Sequence, residues 1–360
     1  MKQICIIAGA RPNFVKVAPL LRAFDKTEGA DCRLIFAGSE DDPTLEASLF
    51  DDLQMRHPDV CLGVTSTRVN EITAQVMGEL DQYLEQHPTD IVIVVDDLAS
   101  TMAAAITAKK RGIRVAHLVA GTRSFDITMP KEINRLVIDA LSDYMFTAGI
   151  KSNSVATREQ QSETAQTYMV GNILMDTLRY NLPRFREPAA LQLQPSTYLV
   201  FTLNRRALIS DEEQLRLMLQ TLISETADIP IVAPLRGSAL GVVVRLLTEL
   251  GVSESKFRVL TSLPYLEFGW LTAHARGIIT DSGNVAEEAT FNGVPCITLN
   301  DYTEHQETVT VGTNVLVGSD GAKFSAALSD MVRGEWKKSA LPDRWDGRSA
   351  ERIVQILLNQ

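Results

Sequence analysis

The stretch Arg276-Gly277-Ile278-Ile279-Thr280-Asp281-Ser282-Gly283-Asn284-Val285-Ala286-Glu287-Glu288-Ala289-Thr290-Phe291-Asn292-Gly293 reads as a strand, a tight turn and a helix. Arg276 to Thr280 is short and apolar, Asp281-Ser282-Gly283 breaks it, and the helical spacing that follows stops at Asn292-Gly293. A helix that opens straight from a strand end leaves free backbone N–H groups at its positive pole, a seat for phosphate. Ser282 and Gly283 stand at that seat. Glu288, one to two turns on, is placed to accept hydrogen bonds from ribose hydroxyls. A serine N-cap before an ordinary acidic turn gives the same pattern, so the stretch poses two readings: a nucleotide diphosphate site or a plainly capped helix.

Working outward, the same alternation fills the chain. Apolar runs at Gln3 to Ala8, Cys32 to Phe36, Asp90 to Val95, Arg114 to Leu118, Tyr144 to Thr147 and Thr167 to Val170 read as strands. Between them Phe14 to Phe24, Val69 to Gln86, Ala99 to Lys110 and Lys131 to Leu141 have helical spacing. The pattern restarts at Tyr198 to Thr202 and runs through Pro230 to Ala233, Phe257 to Leu260 and Val294 to Leu299, with helices at Glu212 to Thr226, Val242 to Leu250 and Tyr265 to His274. Apolar strands separated by helices imply parallel sheets covered on both faces, an α/β fold of two Rossmann-like domains. Asn172 to Pro195, with Pro183, Pro188 and Pro195, reads as the hinge between them.

Composition bounds the function. At 360 residues, 45% hydrophobic and 22% charged, the chain is long enough for two ordinary globular cores. A net charge of −10 argues against nucleic acid and against anionic membranes as partners, although it leaves room for one local anion site. Cys5, Cys32, Cys61 and Cys296 are scattered without a CxxC pair, as expected of reduced thiols in the cytoplasm. No apolar stretch is long enough to span a membrane, and Ile4 to Ala8 reads as a first buried strand rather than a leader. No metal-ligand spacing occurs, so neither a metal nor another cofactor is expected.

Ligands in such sheets bind beyond the carboxyl ends of the strands. Gly9-Ala10-Arg11-Pro12-Asn13 ends the first strand and presents Arg11; the plain alternative is a surface arginine. Asp96-Asp97 ends another and offers an acid/base group or a helix N-cap. His117 also ends a strand, either as a catalytic group or as a packed, hydrogen-bonded side chain. Arg205 could meet a diphosphate. Tyr265 and Phe268 could stack on a base or belong to the core.

The order of the motifs carries a resemblance. The segments are Gly9 to Lys16, Ala120-Gly121-Thr122-Arg123-Ser124-Phe125, Met129-Pro130-Lys131-Glu132-Ile133-Asn134-Arg135 and Val170-Gly171-Asn172. They continue as Asp281-Ser282-Gly283 with Glu287-Glu288-Ala289, Thr303-Glu304 with Glu307-Thr308-Val309, Gly312 to Gly318, and Asp346 to Ile353. Together they resemble the non-hydrolysing UDP-N-acetylglucosamine 2-epimerase family, over nearly the whole chain. The Arg-Ser-Phe and Met-Pro-x-Glu-Ile-Asn-Arg wording is similar to members acting on bacterial surface-sugar precursors, diacetamido uronic acid forms included. The resemblance implies glycosyltransferase-B architecture with a central cleft. The expected domains are 1–172 plus a returning C-terminal helix at 346–360, and 173–345. It also implies a homodimer, a UDP-sugar ligand, and inversion at carbon 2 by UDP elimination and re-addition.

Position by position, the resemblance implies Arg11 and Lys16 near the phosphates, Asp97 as the catalytic aspartate, and Ser282, Gly283 and Glu288 on phosphate and ribose. Five positions depart from the family. Its catalytic glutamates become Val119 and Lys131, leaving Glu132; its histidine before Arg-Arg becomes Asn204; Asn284 replaces a glycine and His305 an arginine. The effector-binding Gly-Gln-His of some members reads Gly38-Ser39-Glu40. Valine cannot move a proton, and a lysine lowers the pKa of a neighbouring acid. The expected catalytic set is therefore Asp97, Arg11, Glu132 and His117, with Val119, Lys131 and Asn204 lining the site. The alternatives are an inactive UDP-sugar-binding paralogue and an altered transferase or hydrolase on the same fold.

Overall fold

Short, β-branched runs form the strands of two separate parallel sheets. The computed structural model describes residues 1–189 and 191–359. In chain order the elements begin β1 (Lys2–Ala8), α1 (Arg11–Asp25), β2 (Ala30–Gly38), α2 (Ala47–Leu53), β3 (Val60–Val64), α3 (Val69–Gln86) and β4 (Ile91–Val95). They continue with α4 (Ala99–Lys110), β5 (Arg114–Leu118), α5 (Pro130–Leu141), β6 (Tyr144–Thr147), α6 (Ile150–Glu159), β7 (Gln166–Met169) and α7 (Ile173–Asn181). The second set opens with β8 (Leu199–Phe201), α8 (Arg206–Ser210), α9 (Glu212–Glu225), β9 (Ile231–Pro234), α10 (Gly237–Glu249), β10 (Phe257–Leu260) and α11 (Tyr265–Ala273). It closes with β11 (Gly277–Thr280), α12 (Gly283–Asn292), β12 (Cys296–Thr298), α13 (Gln306–Thr310), β13 (Asn314–Leu316), α14 (Gly321–Arg333) and finally α15 (Ser349–Asn359).

The first sheet has the order β3-β2-β1-β4-β5-β6-β7, the second β10-β9-β8-β11-β12-β13. Neighbouring strands run parallel, with Ile6 opposite Ile93 and Ile278 opposite Val200. In each sheet the winding reverses beside its first strand, between β1 and β4 and between β8 and β11. Loops diverge at such a reversal and open a crevice at the strands' carboxyl ends. β4, Ile-Val-Ile-Val-Val, is buried along its whole length. It packs with Cys5, Ile7, Leu80, Ala104 and Ile138 in one core, while Leu199, Phe201, Ile231, Ile279 and Leu328 form another. Each fully buried Ile, Leu or Phe side chain contributes about 1.5–3 kcal/mol of transfer free energy.

The division into units falls after Tyr180, and the chain re-enters the first unit at Asp343. These borders lie beyond 172 and before 346 because α7 packs with the first unit. Ile173, Leu174, Met175 and Leu178 are buried, and the Thr177 hydroxyl donates to the Val15 carbonyl at 2.6 Å. The segment read as a hinge therefore begins as a helix. The returning segment is locked by fit. Trp345 is 1% exposed and its Nε1–H donates to the Ala148 carbonyl at 3.0 Å. Gly171 has φ +99°, and a Cβ there would lie 2.0 Å from the Arg344 carbonyl oxygen. Asp176 accepts the N–H groups of Ser349 and Ala350 at the start of α15, at 3.1 and 2.8 Å.

Other elements carried weak signals. β3 contains Gly63 at φ +78° and lies at the sheet edge, so its apolar alternation is interrupted. α1 starts at Arg11 rather than Phe14 because Pro12 suits a helix's first turn. Among the described residues no helix is long and apolar enough to cross a membrane, and the four cysteines are unpaired.

Candidate functional site

At the reversal in the first sheet, β1 ends at Gly9 to Asn13 and β4 ends at Asp96-Asp97. The Gly9 N–H donates to Asn13 Oδ1 at 2.9 Å, and Asn13 Nδ2 donates to Asp96 Oδ2 at 3.0 Å. Lys16 Nζ donates to Asp96 Oδ1 at 2.6 Å. Asp96 itself is left-handed, φ +58°, a strain that aspartate tolerates better than most residues. Asp97 turns the other way. Its Oδ2 accepts Nε and Nη2 of Arg135 at 2.9 and 2.6 Å, and Lys131 Nζ lies 3.5 Å from its Oδ1. Burial pushes the Asp97 carboxyl up, but the positive charges of Lys131 and Arg135 outweigh it and hold the group below the usual carboxylate range.

A second layer of buried charge supports these turns. His117 is 1% exposed; its Nδ1 lies 2.5 Å from Asp139 Oδ1 and its Nε2 lies 3.0 Å from the Asp96 carbonyl oxygen. Asp139 Oδ2 accepts the Gly121 N–H at 3.0 Å and pairs with Arg123 at 2.7 Å. Burial raises Asp139, yet His117 and Arg123 together keep it below its ordinary pKa. Glu132 is 2% exposed and accepts the Ser124 N–H and hydroxyl, the Phe125 N–H and Arg135 Nη1. Those donors overcome its desolvation and lower its pKa. Just past the end of β5, Val119 sits at φ +72°, a true outlier for a β-branched residue and of the kind that stores about 1–3 kcal/mol of strain near functional sites.

In the second sheet the reversal brings the ends of β8 and β11 together. Asp281 Oδ2 accepts the N–H groups of Asn204 and Arg205 at 2.8 and 2.5 Å. The Asp281 carbonyl accepts Asn300 Nδ2 at 3.0 Å, and Arg205 Nη1 donates to Asn300 Oδ1 at 2.8 Å. Ser282 caps α12, its Oγ 3.5 Å from the Val285 nitrogen, and Gly293 closes the helix at φ +70°. Gly283 is the first residue of α12 and Asn284 the second, both half-buried. Glu288 is 8% exposed with no partner among the described residues; burial, then the neighbouring Glu287, pushes its carboxyl up to about 8. Glu287 Oε1 lies 3.0 Å from His305 Nδ1.

The structure redirects several sequence expectations. Lys16, expected on a phosphate, is buried and ion-paired to Asp96. His117 and Glu132, expected to move protons, are buried with their polar atoms committed to the fold. Phe268, expected to stack on a base, packs against the core around Leu271 and Ile278. Tyr265 starts α11 half-buried. Arg11, at the start of α1, is partly exposed and paired to Glu46 at 3.0 Å. Lys131 reaches Asp97, Val119 directly follows β5, and Asn204 is exposed and contributes its backbone to Asp281. Sequence reading missed Arg135, Asp139 and Asp281, whose partners lie far along the chain. The spacing Glu132-x-x-Arg135, one helical turn, was the available signal for the first.

A family model described as UDP-N-acetylglucosamine 2-epimerase matches residues 22–358. A UDP-N-acetylglucosamine 2-epimerase of Methanocaldococcus jannaschii is 32% identical over 99% of this chain and 98% of its own length. UDP-2,3-diacetamido-2,3-dideoxy-D-glucuronate 2-epimerase of Pseudomonas aeruginosa is 31% identical over 88% of each. A crystal structure of Methanocaldococcus jannaschii UDP-GlcNAc 2-epimerase in complex with UDP-GlcNAc and UDP matches with a TM-score of 0.86 at 32% identity, covering 99% of this chain and 100% of that one.

Proposed function

The chain belongs to the UDP-N-acetylglucosamine 2-epimerase family, and from that premise we propose that it inverts carbon 2 of a UDP-linked N-acetylamino sugar, UDP-N-acetylglucosamine or a related uronic acid form. The near full-length family match carries this reading. The relatives give no support to an inactive paralogue or to a changed transferase.

The reaction removes the carbon 2 proton as the carbon 1–oxygen bond to UDP breaks, leaving a glycal. A proton then reaches the opposite face of carbon 2, and UDP adds back at carbon 1. Asp97 is the acid/base group, since its carboxylate is charged at neutral pH and its neighbours are cations. Lys131, whose side chain is 66% exposed, is the partner for a substrate carboxylate in the uronic acid form. Arg11 and Arg205 supply positive charge for the diphosphate, the Ser282-Gly283 turn its N–H donors, and Glu288 accepts from the ribose hydroxyls. A homodimer in the cytoplasm completes the reading; sedimentation checks the first part. The whole is tested with the pure protein and UDP-N-acetylglucosamine, or its diacetamido uronic acid analogue, in deuterated water. Deuterium entering carbon 2 with inversion supports it. UDP-sugar binding without exchange on either substrate overturns it.

A further inference from the structure

His117 is buried within the first sheet with its ring held at both nitrogens. It lies on β5 opposite Val94 of β4, with Asp139 of α5 on one side and the Asp96 carbonyl on the other. A carbonyl oxygen can only accept. Asp139 is in the same position, because its second oxygen already takes the Gly121 N–H and the Arg123 guanidinium, donors that favour the charged carboxylate. An imidazole with one hydrogen satisfies one of these two oxygens and turns a lone pair towards the other. Both contacts are met only when both ring nitrogens carry hydrogen. The Asp96 carbonyl belongs to the peptide plane that joins Asp96 to Asp97. Turning that plane changes φ of Asp97 and with it the aim of the carboxyl. On either side of the plane the chain is held by other groups: Lys16 and Asn13 take the Asp96 side chain, and Asn134 Nδ2 donates to the Asp97 carbonyl at 2.8 Å.

We propose that His117, doubly protonated against Asp139, is a positioning residue for proton transfer at carbon 2: through Nε2–H it fixes the Asp96–Asp97 peptide plane and so sets the aim of the Asp97 carboxyl. This rests on the reading of Asp97 as the acid/base group. His117 acts through Asp97 and does not touch the substrate. A charged ring donates a stronger hydrogen bond than a neutral one, which suits a plane that follows a left-handed residue, Asp96 at φ +58°. Asp139 supplies the counter-charge from the far side of the ring, and Arg123 holds Asp139 in place.

The test follows carbon 2 exchange in deuterated water for the wild type, His117→Phe and Asp139→Asn, with UDP affinity, melting temperature and 15N-histidine spectra on the same samples. In the wild type both ring nitrogens of His117 resonate in the protonated range at neutral pH. His117→Phe keeps a flat ring that donates to nothing. Its kcat falls about tenfold or more, the range for a lost hydrogen bond from a charged group, while KM and UDP affinity stay within about threefold. In Asp139→Asn, Gly121 and Arg123 claim the amide oxygen, so the amide N–H turns to Nδ1. The ring then takes its neutral Nε2–H form, keeps its bond to Asp96, and kcat stays within about threefold of wild type. Should His117→Phe not fold, Asp139→Asn decides: kcat is retained when Nε2 keeps its hydrogen and lost when it does not, and the opposite pairing overturns the proposal. A wild type without carbon 2 exchange ends the functional reading and this proposal with it. Wild-type exchange with an unchanged kcat in folded His117→Phe, or with a wild-type ring nitrogen in the unprotonated range, overturns this proposal alone.

Discussion

At the scale of single residues, the two carboxyls that matter are tuned in opposite directions. Asp97 is held low by Lys131 and Arg135, against its own burial. Asp97→Asn keeps the shape but cannot take a proton, so carbon 2 exchange should vanish while UDP affinity stays within about threefold; wild-type exchange in that variant would make Asp97 a structural carboxylate. Lys131→Gln removes the first of the cations that hold Asp97 low, so the acidic limb of the pH–rate profile should move to higher pH. Glu288 is pushed up to about 8 from an ordinary value of 4.5. Between those values the folded chain binds more protons than the unfolded one, so this group's contribution to stability falls as pH rises, by at most roughly 1.4 kcal/mol per pH unit. Glu288→Gln abolishes that loss. Its melting temperature should match wild type near pH 4 and exceed it at pH 8, while UDP binding is lost. A variant less stable than wild type at pH 8 would refute the assignment. The role of Lys16 was not legible in the sequence, because it is decided by Asp96, 80 positions away; His117 takes the packed, hydrogen-bonded one of its two readings, with a partner, Asp139, that lies 22 positions away.

At the scale of elements, α5 shows why residue type alone misleads. Its buried positions include Glu132, Arg135 and Asp139, while Ile133 and Leu136 are exposed. The charged face of the helix is the one that ties down the loops after β4 and β5. Glu132→Ala would free the Ser124 and Phe125 N–H groups and leave Arg135 short of a partner, costing about 3 kcal/mol. Hydrogen exchange should rise first at Ser124 and Phe125; uniform exchange across the first unit would argue against a local anchor. Strand and helix positions along the chain were readable wherever apolar runs were continuous, as in β4, or helical spacing was long, as in α3. They were lost where a glycine interrupted the run, as in β3, or where a helix depends on packing, as in α7. The strand–turn–helix at β11 and α12 was legible to its last residue, since both caps are local: Ser282 before it and Gly293 after it.

At the scale of the whole molecule, the first unit is made from two separated pieces of sequence. Gly171→Ala should disrupt the return of the later piece, because its Cβ meets the Arg344 carbonyl and its φ of +99° disfavours any side chain. The expected outcome is a lowered unfolding midpoint for the first unit, read from Trp345 fluorescence, while UDP still binds the second. Equal loss in both would mean that the two units melt as one. The same two-piece construction bears on synthesis. A ribosome releases residues 181–342 before helix α15, which packs on α1, and Trp345 have emerged, so the second unit can close its sheet while the first still waits for its last helix. During that interval the surface of α1 that α15 will cover is open to chaperones and proteases. The unit whose first piece precedes the other in the sequence is therefore completed after it.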